Sequence, residues 1–337
     1  MKAYQPPLTL TPVMLGLVAE ISEQVGRLTA LKDGPLTPQL RRGNRIRTIQ
    51  ASLAIENNTL SLEQVTAVLE GKRVLGLPRE IQEVRNAFAA YEAMPTWQSY
   101  SAADLLKAHA VLMQGLIDDA GRWRQGGVGI YRGEQLVHMA PPASRVASLM
   151  TDLLGWLEAT ELHPLLASCV FHYEFEFIHP FADGNGRMGR LWQTLLLSQW
   201  RPVLAYLPVE TVIRDRQDAY YGALSAADRA GEATPFVEFM LDALTVALGE
   251  TEQTDQVSDQ ATDQVKRLLK ALTDSPPLKA GELMQQLGLT HRPTFRSNYL
   301  NPALDAGWVE MTDPSSPRSP VQKYRLTVRG RLVAGKA

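Results

Sequence analysis

One segment near the middle of the chain constrains the fold more than any other. Residues 177–190 read FIHPFADGNGRMGR. Pro180 disfavours helical backbone at His179, so a helix that reaches this point ends there. Gly184 and Gly186 permit a tight, partly left-handed turn in which backbone N–H groups can converge on an anion. Apolar residues recur at helical spacing on both sides: Leu166, Val170, Tyr173 and Phe177 before the loop, and Met188, Leu191 and Leu195 after it. The segment therefore predicts a helix, a bent loop and a second helix.

The polar side chains of this segment are those of a phosphate site with a base beside it. The free amides at the start of the second helix favour a phosphate group. Arg187 and Arg190 are three residues apart, and two guanidinium forks predict more than one phosphate. Asp183 would repel phosphate unless it held a divalent cation, so we predict Mg²⁺ there. His179 can take a proton from an attacking hydroxyl. A histidine in such a loop can also be structural, and glycine clusters often mark turns, but their joint occurrence with Asp183 and both arginines favours a site.

The segment matches the motif H-P-F-x-D/E-G-N-G-R-x-x-R of the Fic family at every defined position. The chain therefore resembles protein adenylyltransferases that transfer AMP from ATP to a Ser, Thr or Tyr hydroxyl of a target protein or of the enzyme itself. The resemblance implies that His179 is the catalytic base and that Asp183 binds Mg²⁺. In the related Doc-like branch a lysine stands at the position of Gly186, so Gly186 favours nucleotidyl transfer. The resemblance assigns nucleotide binding to Phe181, Gly184, Asn185, Gly186, Arg187 and Arg190.

A second motif lies near the start of the chain. Residues 52–57 read SLAIEN within a stretch with helical apolar spacing. They resemble the inhibitory motif S/T-x-x-x-E-G/N of Fic proteins, which implies inhibitory roles for Ser52, Glu56 and Asn57. We expect Glu56 to pair with Arg190 in the place of an outer phosphate of ATP. The alternative is an ordinary solvated helix face. Whether Glu56 also supports AMP removal stays open.

Residues 128–139 alternate like two short strands around a glycine-containing turn, and Pro141 and Pro142 end the pattern. A hairpin is predicted beside the loop. Fic relatives use such a flap to hold an extended target segment, and the alternative is an ordinary surface hairpin. The residues predicted to position the target are Val128, Gly129, Ile130, Val137, His138 and Met139.

The C-terminal part of the chain differs from the rest in charge. Residues 262–337 contain 12 Lys and Arg against 6 Asp and Glu, whereas the whole chain has a net charge of −2. Short helices around a Gly288 turn, followed by two strands, predict a winged helix. DNA contacts are one possible role for this domain, and the favoured alternative is protein contacts or dimerisation. The candidate phosphate-contacting residues are His291, Arg292, Arg296 and Arg318.

We therefore predict a mainly α fold: a Fic helical core with a small β-hairpin flap, followed by a C-terminal winged-helix (α+β) domain. The expected domains are a helical region with the inhibitory helix (residues 1–100), the catalytic core (101–248), a linker (249–262) and the winged helix (263–337). An alternative function is a nucleotide-sensing DNA-binding regulator without turnover. A homodimer is left open, and Tyr220 and Tyr221 are candidates for contacting the nucleotide base.

The sequence carries little sign of export. Its single cysteine, Cys169, lies in an apolar helical stripe, which excludes an intrachain disulfide and fits a reducing compartment. The first residues lack the apolar core of a signal peptide, and no stretch has the length of a membrane span. The expected location is therefore the cytoplasm, with no membrane partner.

Overall fold

The computed structural model describes residues 4–29, 38–132, 135–259, 262–273, 275–317, 319 and 321–335. They form two compact units. The first unit contains the N-terminal helix and Asn44–Leu248, and the second contains the chain after Leu248 together with the first residues of the second helix. The helices that precede residue 101 thus share a unit with the predicted catalytic core. No helix among these residues has the length and apolar character needed to cross a bilayer.

The first unit is mainly helical, as predicted. A hairpin, β1 (Gly129–Arg132) and β2 (Gln135–Met139), interrupts the helices between α5 and α6, and short 3₁₀ turns cover Met94–Thr96 and Pro202–Tyr206. The helices are α1 (Pro12–Thr29), α2 (Pro38–Ile55), α3 (Leu62–Leu69), α4 (Pro78–Ala93), α5 (Ala102–Leu112), α6 (Ala143–Ala159), α7 (Pro164–Ile178), α8 (Asn185–Trp200), α9 (Val209–Asp215), α10 (Gln217–Ala230) and α11 (Thr234–Asp259).

Helices α7 and α8 form the centre of this unit and carry the predicted loop between them. α7 is buried on nearly all sides, as expected of a helix that is apolar all round. Pro164 begins α7 at a position where a missing N–H has no consequence, and the His163 side chain accepts a hydrogen bond from the Leu165 N–H at 3.3 Å. Cys169 is a buried free thiol whose pKa burial raises to about 12, so it is inert.

The predicted hairpin is present. β1 and β2 pair antiparallel from Gly129 opposite Met139 to Arg132 opposite Gln135, with a register shift between Ile130 and Tyr131. The structure describes the backbone of these strands, but the side chains of residues 130–138 lie outside the description. Target-positioning roles for Ile130, Val137 and His138 therefore stay predictions.

The second unit has the order of helices and strands expected of a winged helix. Its sheet is antiparallel with strand order β3-β5-β4, and the predicted turn at Gly288 is present, with a left-handed backbone at φ 70°. A single apolar core joins the helices to this sheet. Arg318, predicted on the wing, lies outside the described residues. The elements are α12 (Asp263–Leu272), β3 (Leu278–Lys279), α13 (Ala280–Gln286), α14 (Arg292–Phe295), a π-helical turn (Arg296–Leu300), α15 (Asn301–Asp305), β4 (Val309–Met311), β5 (Lys323–Leu326) and α16 (Val328–Ala334).

Most of the stretch predicted as a linker, residues 249–262, is helical. Helix α11 continues through residues 249–259, which are polar and lack apolar periodicity. Lengthening an existing helix is much easier than starting one, and Glu and Gln are good helix formers. The polar composition and missing apolar periodicity therefore did not indicate the end of the helix.

Candidate active site

His179 occupies the turn at which α7 ends. Its backbone is left-handed, with φ 50° and ψ 60°, and its N–H donates to the Phe175 carbonyl at 2.9 Å. His179 and Asn57 are the non-glycine residues with positive φ in the described part of the chain. Such a conformation costs about 1–2 kcal/mol and persists where the surroundings enforce it. The imidazole Nδ1 lies 3.9 Å from Glu176 Oε2, one helical turn earlier.

The loop after His179 is closed by Asn185. The Asn185 side-chain oxygen accepts from the Phe181 N–H, and its amide nitrogen donates to the Phe181 carbonyl, both at 2.9 Å. Asn185 is buried, and the ring of Phe181 lies in the core. The structure therefore shows Asn185 and Phe181 as residues that shape the loop, while their contacts with nucleotide stay predictions.

A second support, which the sequence analysis missed, comes from His109 on α5. Its ring stacks on Phe181, with centroids 3.6 Å apart. His109 Nδ1 accepts from the Gly121 N–H at 2.8 Å, so the proton lies on Nε2, which donates to the Asp183 carbonyl at 3.0 Å. Burial lowers the pKa of His109, which keeps this arrangement neutral. A histidine on an apolar helix carries no local sign of this role.

The two glycines of the loop serve different purposes. Gly184 is left-handed at φ 84°, as expected of a residue that bends the chain. Gly186, by contrast, lies within α8, so the expectation that it bends the loop is wrong. A Cβ at Gly186 would clash with Glu56 Oε1 and lie 3.1 Å from Arg190 Nη1. Gly186 is thus needed for the space it leaves above the first turn of α8.

Arg187 and Asp183 belong to one charged network. Arg187 contacts Asp183 Oδ1 at 3.0 Å and Glu83 Oε1 at 3.4 Å. Arg79 contacts the other oxygen of Asp183 at 3.2 Å, and the Gly184 N–H donates to Oδ1 at 2.6 Å. Glu83 and Arg79 come from α4 and were not predicted, because nothing in the local sequence links α4 to the loop.

The predicted magnesium ligand fits that role. The Asp183 side chain lies in the loop and is 40% exposed. Mg²⁺ is commonly held by one or two carboxylates together with substrate phosphates and water, so one protein carboxylate at a phosphate site suffices. Within the described residues there is no cluster of three or more acidic, histidine or cysteine side chains that would form a metal site without a substrate.

The predicted contact between the two motifs is present. Arg190 Nη2 donates to Glu56 Oε1 at 2.8 Å and to the Ser52 carbonyl at 3.0 Å, while its Nε donates to Ser52 Oγ at 3.0 Å. The Arg190 side chain is 1% exposed. Burial alone would lower the pKa of Arg190, but Glu56 and other nearby acidic groups outweigh it and raise that pKa. The guanidinium is therefore charged, and its Nε and Nη2 atoms are held by the inhibitory motif.

The inhibitory segment also reaches Arg187 indirectly. Asn57 turns the chain at φ 67° immediately after Glu56. Asn58 then donates to Glu83 Oε2 at 2.8 Å, and Glu83 contacts Arg187. The segment that follows α2 is thus connected to Arg190 directly and to Arg187 through Glu83.

The prediction that Tyr220 contacts the nucleotide base is wrong. Tyr220 is 1% exposed, and its hydroxyl lies 3.2 Å from Nε2 of the equally buried His172. Nδ1 of His172 lies 2.6 Å from the Gln193 side-chain oxygen. Burial lowers the pKa of His172 to about 3, so this cluster is a neutral part of the core. The sequence alone did not indicate which of the adjacent residues Tyr220 and Tyr221 points into the core.

With this geometry established, similarity to known proteins identifies the family. The model of the Fic/DOC family matches residues 99–197, and the model of the Fic-like C-terminal domain matches residues 263–327. The structure resembles the crystal structure of a Fic family protein from Desulfovibrio desulfuricans G20, with a TM-score of 0.73 and 68% sequence identity, over 96% of this chain and 98% of that one. The chain belongs to the Fic family.

Curated members of the Fic family are also similar to this chain. The protein adenylyltransferase Fic of Culex quinquefasciatus is 30% identical over 214 residues, and that of Drosophila mojavensis is 28% identical over 284 residues. These matches cover 58% and 77% of this chain. The chain spans 39% and 54% of the length of these two relatives.

Proposed function

We propose that this Fic protein transfers AMP from ATP to a Ser, Thr or Tyr hydroxyl of a target protein or of itself. The observation that carries the proposal is the position of His179 directly before a loop that ends in the α8 N-terminus, with Arg190 at the same end of α8. The relatives from Culex quinquefasciatus and Drosophila mojavensis bear the name protein adenylyltransferase.

The reaction follows from the chemistry of these groups. The target hydroxyl oxygen forms a bond to the α-phosphorus while the bond from that phosphorus to the bridging oxygen breaks. His179 accepts the hydroxyl proton, and pyrophosphate leaves. Arg190 and the amides at the start of α8 hold the outer phosphates, and Asp183 would hold Mg²⁺, which neutralises phosphate charge when bound. Gly186 leaves room for the phosphate group.

We further propose that the protein rests in an inhibited state. Glu56 occupies the Arg190 fork that would otherwise bind an outer phosphate, and the missing Cβ of Gly186 accommodates the same carboxylate. ATP therefore competes with an intramolecular carboxylate. Nucleotide bound without that arginine would be misplaced for in-line attack.

The proposal is tested with ATP labelled at the α-phosphate. The intact protein, Glu56→Gly, His179→Ala and the double variant are incubated with labelled ATP and magnesium, and label on protein is measured. We expect strong labelling of Glu56→Gly, weak labelling of the intact protein and none in either His179→Ala background. Mass spectrometry should show the mass of one AMP on each modified site. Labelling that survives His179→Ala would contradict the assigned base.

A further inference from the structure

A buried arginine outside both motifs joins the His179 turn to the hairpin. Arg124 lies between α5 and β1, is 2% exposed and donates to main-chain carbonyls. Two of these carbonyls end α7: His179 accepts from Nε at 2.7 Å, and Ile178 accepts from Nη2 at 3.3 Å. The Arg124 N–H also donates to the Pro180 carbonyl at 2.9 Å. Three consecutive carbonyls of the turn are therefore held by one residue.

The other contacts of the guanidinium lie at the base of the hairpin. Nη1 donates to the Gly126 carbonyl at 2.8 Å, just before β1. Nη2 donates to the Pro141 carbonyl at 2.5 Å, just after β2. The hairpin base is closed by the Ala140 N–H, which donates to the Val128 carbonyl at 3.1 Å. Arg124 thus contacts both chains that enter the flap as well as the turn that carries His179.

Two physical arguments favour a functional reason for this arrangement. A left-handed histidine is strained and needs surrounding contacts to keep it in place. A buried guanidinium is costly unless its donors are satisfied, so its position is tightly determined by the carbonyls around it. The charged Arg124 guanidinium therefore fixes the distance between the His179 turn and the base of the hairpin more strictly than apolar packing would.

We propose that Arg124 is a positioning residue, which sets the distance between the His179 imidazole and the hairpin predicted to hold the target segment. This inference rests on the proposed function. It assigns Arg124 no contact with nucleotide or with the reacting atoms. Lysine cannot replace it, because one ammonium group does not reach carbonyls on both segments as the planar five-donor fork does.

The test compares Arg124→Lys and Arg124→Ala in the Glu56→Gly background. Misplacement of the base relative to the hydroxyl should lower the transfer rate about 10- to 100-fold. The Kd for Mg-ATP, measured by calorimetry, should stay within about twofold, because Arg187, Arg190 and the α8 N-terminus are unchanged. Guanidinium ion at sub-denaturing concentration should restore part of the activity of Arg124→Ala but none of that of Arg124→Lys.

A control variant separates positioning from loss of stability. Ile21→Ala removes a fully buried side chain of α1, which is part of neither the loop nor the hairpin. We expect it to lower the Tm without the loss of transfer rate that is expected for Arg124→Lys. If both variants lose rate in proportion to Tm, or if Arg124→Lys loses ATP affinity as much as rate, Arg124 is a structural residue only and the inference is overturned.

A spectroscopic readout keeps the inference distinct from the proposed function. In histidine-labelled protein, the His179 ring resonances are assigned by their loss in His179→Ala. Arg124→Lys should shift them and leave those of His291, in the C-terminal unit, unchanged. Unmoved His179 resonances would contradict the positioning role even if transfer fell. If no variant transfers AMP but the resonances shift, the proposed function fails while the structural link survives.

Discussion

At the scale of single residues, the site depends on the atoms that satisfy Arg190. Glu56 supplies the charged acceptor, while Ser52 supplies a hydroxyl and a carbonyl. All three of these hydrogen bonds come from the charged guanidinium, but the one to Glu56 also joins two opposite charges and is therefore the strongest. The two residues of the motif are therefore unequal partners of Arg190.

Replacement of Glu56 should have a larger effect on ATP binding than replacement of Ser52. Glu56→Ala removes the competing carboxylate, and we expect the Kd for ATP to fall by about tenfold or more. In Ser52→Ala the main-chain carbonyl still accepts from Nη2, so a change of less than about threefold is expected. Isothermal titration of both variants checks this, and equal effects would contradict the unequal roles.

Gly186 gives a second prediction at the residue scale. In the Glu56→Ala background, Gly186→Ala places a methyl group where the Glu56 carboxylate lies in the intact protein. If that position is the phosphate site, the methyl group should abolish the gain in ATP affinity. The matched control is Gly222→Ala, because a Cβ at Gly222 meets no atom within 4 Å. Retained ATP affinity in Gly186→Ala would contradict the assigned cradle.

At the scale of elements, the α7–loop–α8 unit is held by contacts to its main chain. Asn185 closes the loop from within, His109 holds the Asp183 carbonyl, and Arg124 holds the carbonyls at the end of α7. Because these contacts are to backbone atoms, they fix the path of the loop. They do not use the side chains of His179 and Asp183, which have the proposed roles of base and Mg²⁺ ligand.

Asn185→Ala should destabilise the first unit through the loop. It removes two buried hydrogen bonds to Phe181, each worth about 1 kcal/mol, and leaves two buried main-chain groups without partners. We expect a loss of about 2–3 kcal/mol in the free energy of unfolding in urea. The exposed Gln98→Ala is the control and should change it by less than about 0.5 kcal/mol. A loss no larger than that of the control would show that the loop is held elsewhere.

At the scale of the whole molecule, the buried histidines make stability depend on pH. The folded-state pKa of His172 is about 3, below its ordinary value of 6.5, because burial excludes the charged form. Glu176 lies 3.8 Å away and does not offset this burial. His172 therefore contributes fully to the free energy of unfolding above pH 6.5. This contribution is lost as the pH falls from 6.5 towards 3, because over that range His172 binds a proton in the unfolded chain but not in the folded one.

The free energy of unfolding should therefore fall by about 2 kcal/mol between pH 7 and pH 5 on account of His172 alone. His109, whose pKa burial also lowers, acts in the same direction. Urea denaturation at several pH values measures this. In His172→Gln the dependence on pH should be shallower, whatever its absolute stability, and an unchanged slope would contradict the assignment.

The second unit leads to a prediction about DNA. His291 caps α14 by accepting from the Thr294 N–H at 3.4 Å, so its ring serves the helix end. The net positive charge of residues 262–337 is modest, and His291, one of the candidate phosphate contacts, is already used as a helix cap. We therefore expect no shift of a labelled duplex by the full chain at about 10 µM protein in physiological salt. A shift that weakens steeply with salt would instead favour the DNA-binding role.

The sequence by itself determined the local features of this protein. The end of α7 at His179, the bend at Gly184, the start of α8 and the hairpin follow from Pro180, glycine conformation and apolar periodicity. These are effects between near neighbours in the chain, so they can be predicted without a fold. The pairing of Glu56 with Arg190, 134 residues apart, was predictable because both lie in motifs of the Fic family.

Only the tertiary structure decided which other groups complete the site. Arg79 meets Asp183 across 104 residues, and Arg124 meets His179 across 55. No local pattern encodes such distances, because they depend on how helices pack around a shared core. The same packing buries Tyr220, whereas the sequence did not indicate whether its side chain points into the core or towards solvent. Short-range sterics determine the path of the loop. Its hydrogen-bond partners depend on tertiary packing, because a buried charged or polar side chain is stable only where the fold provides groups that hydrogen-bond to it.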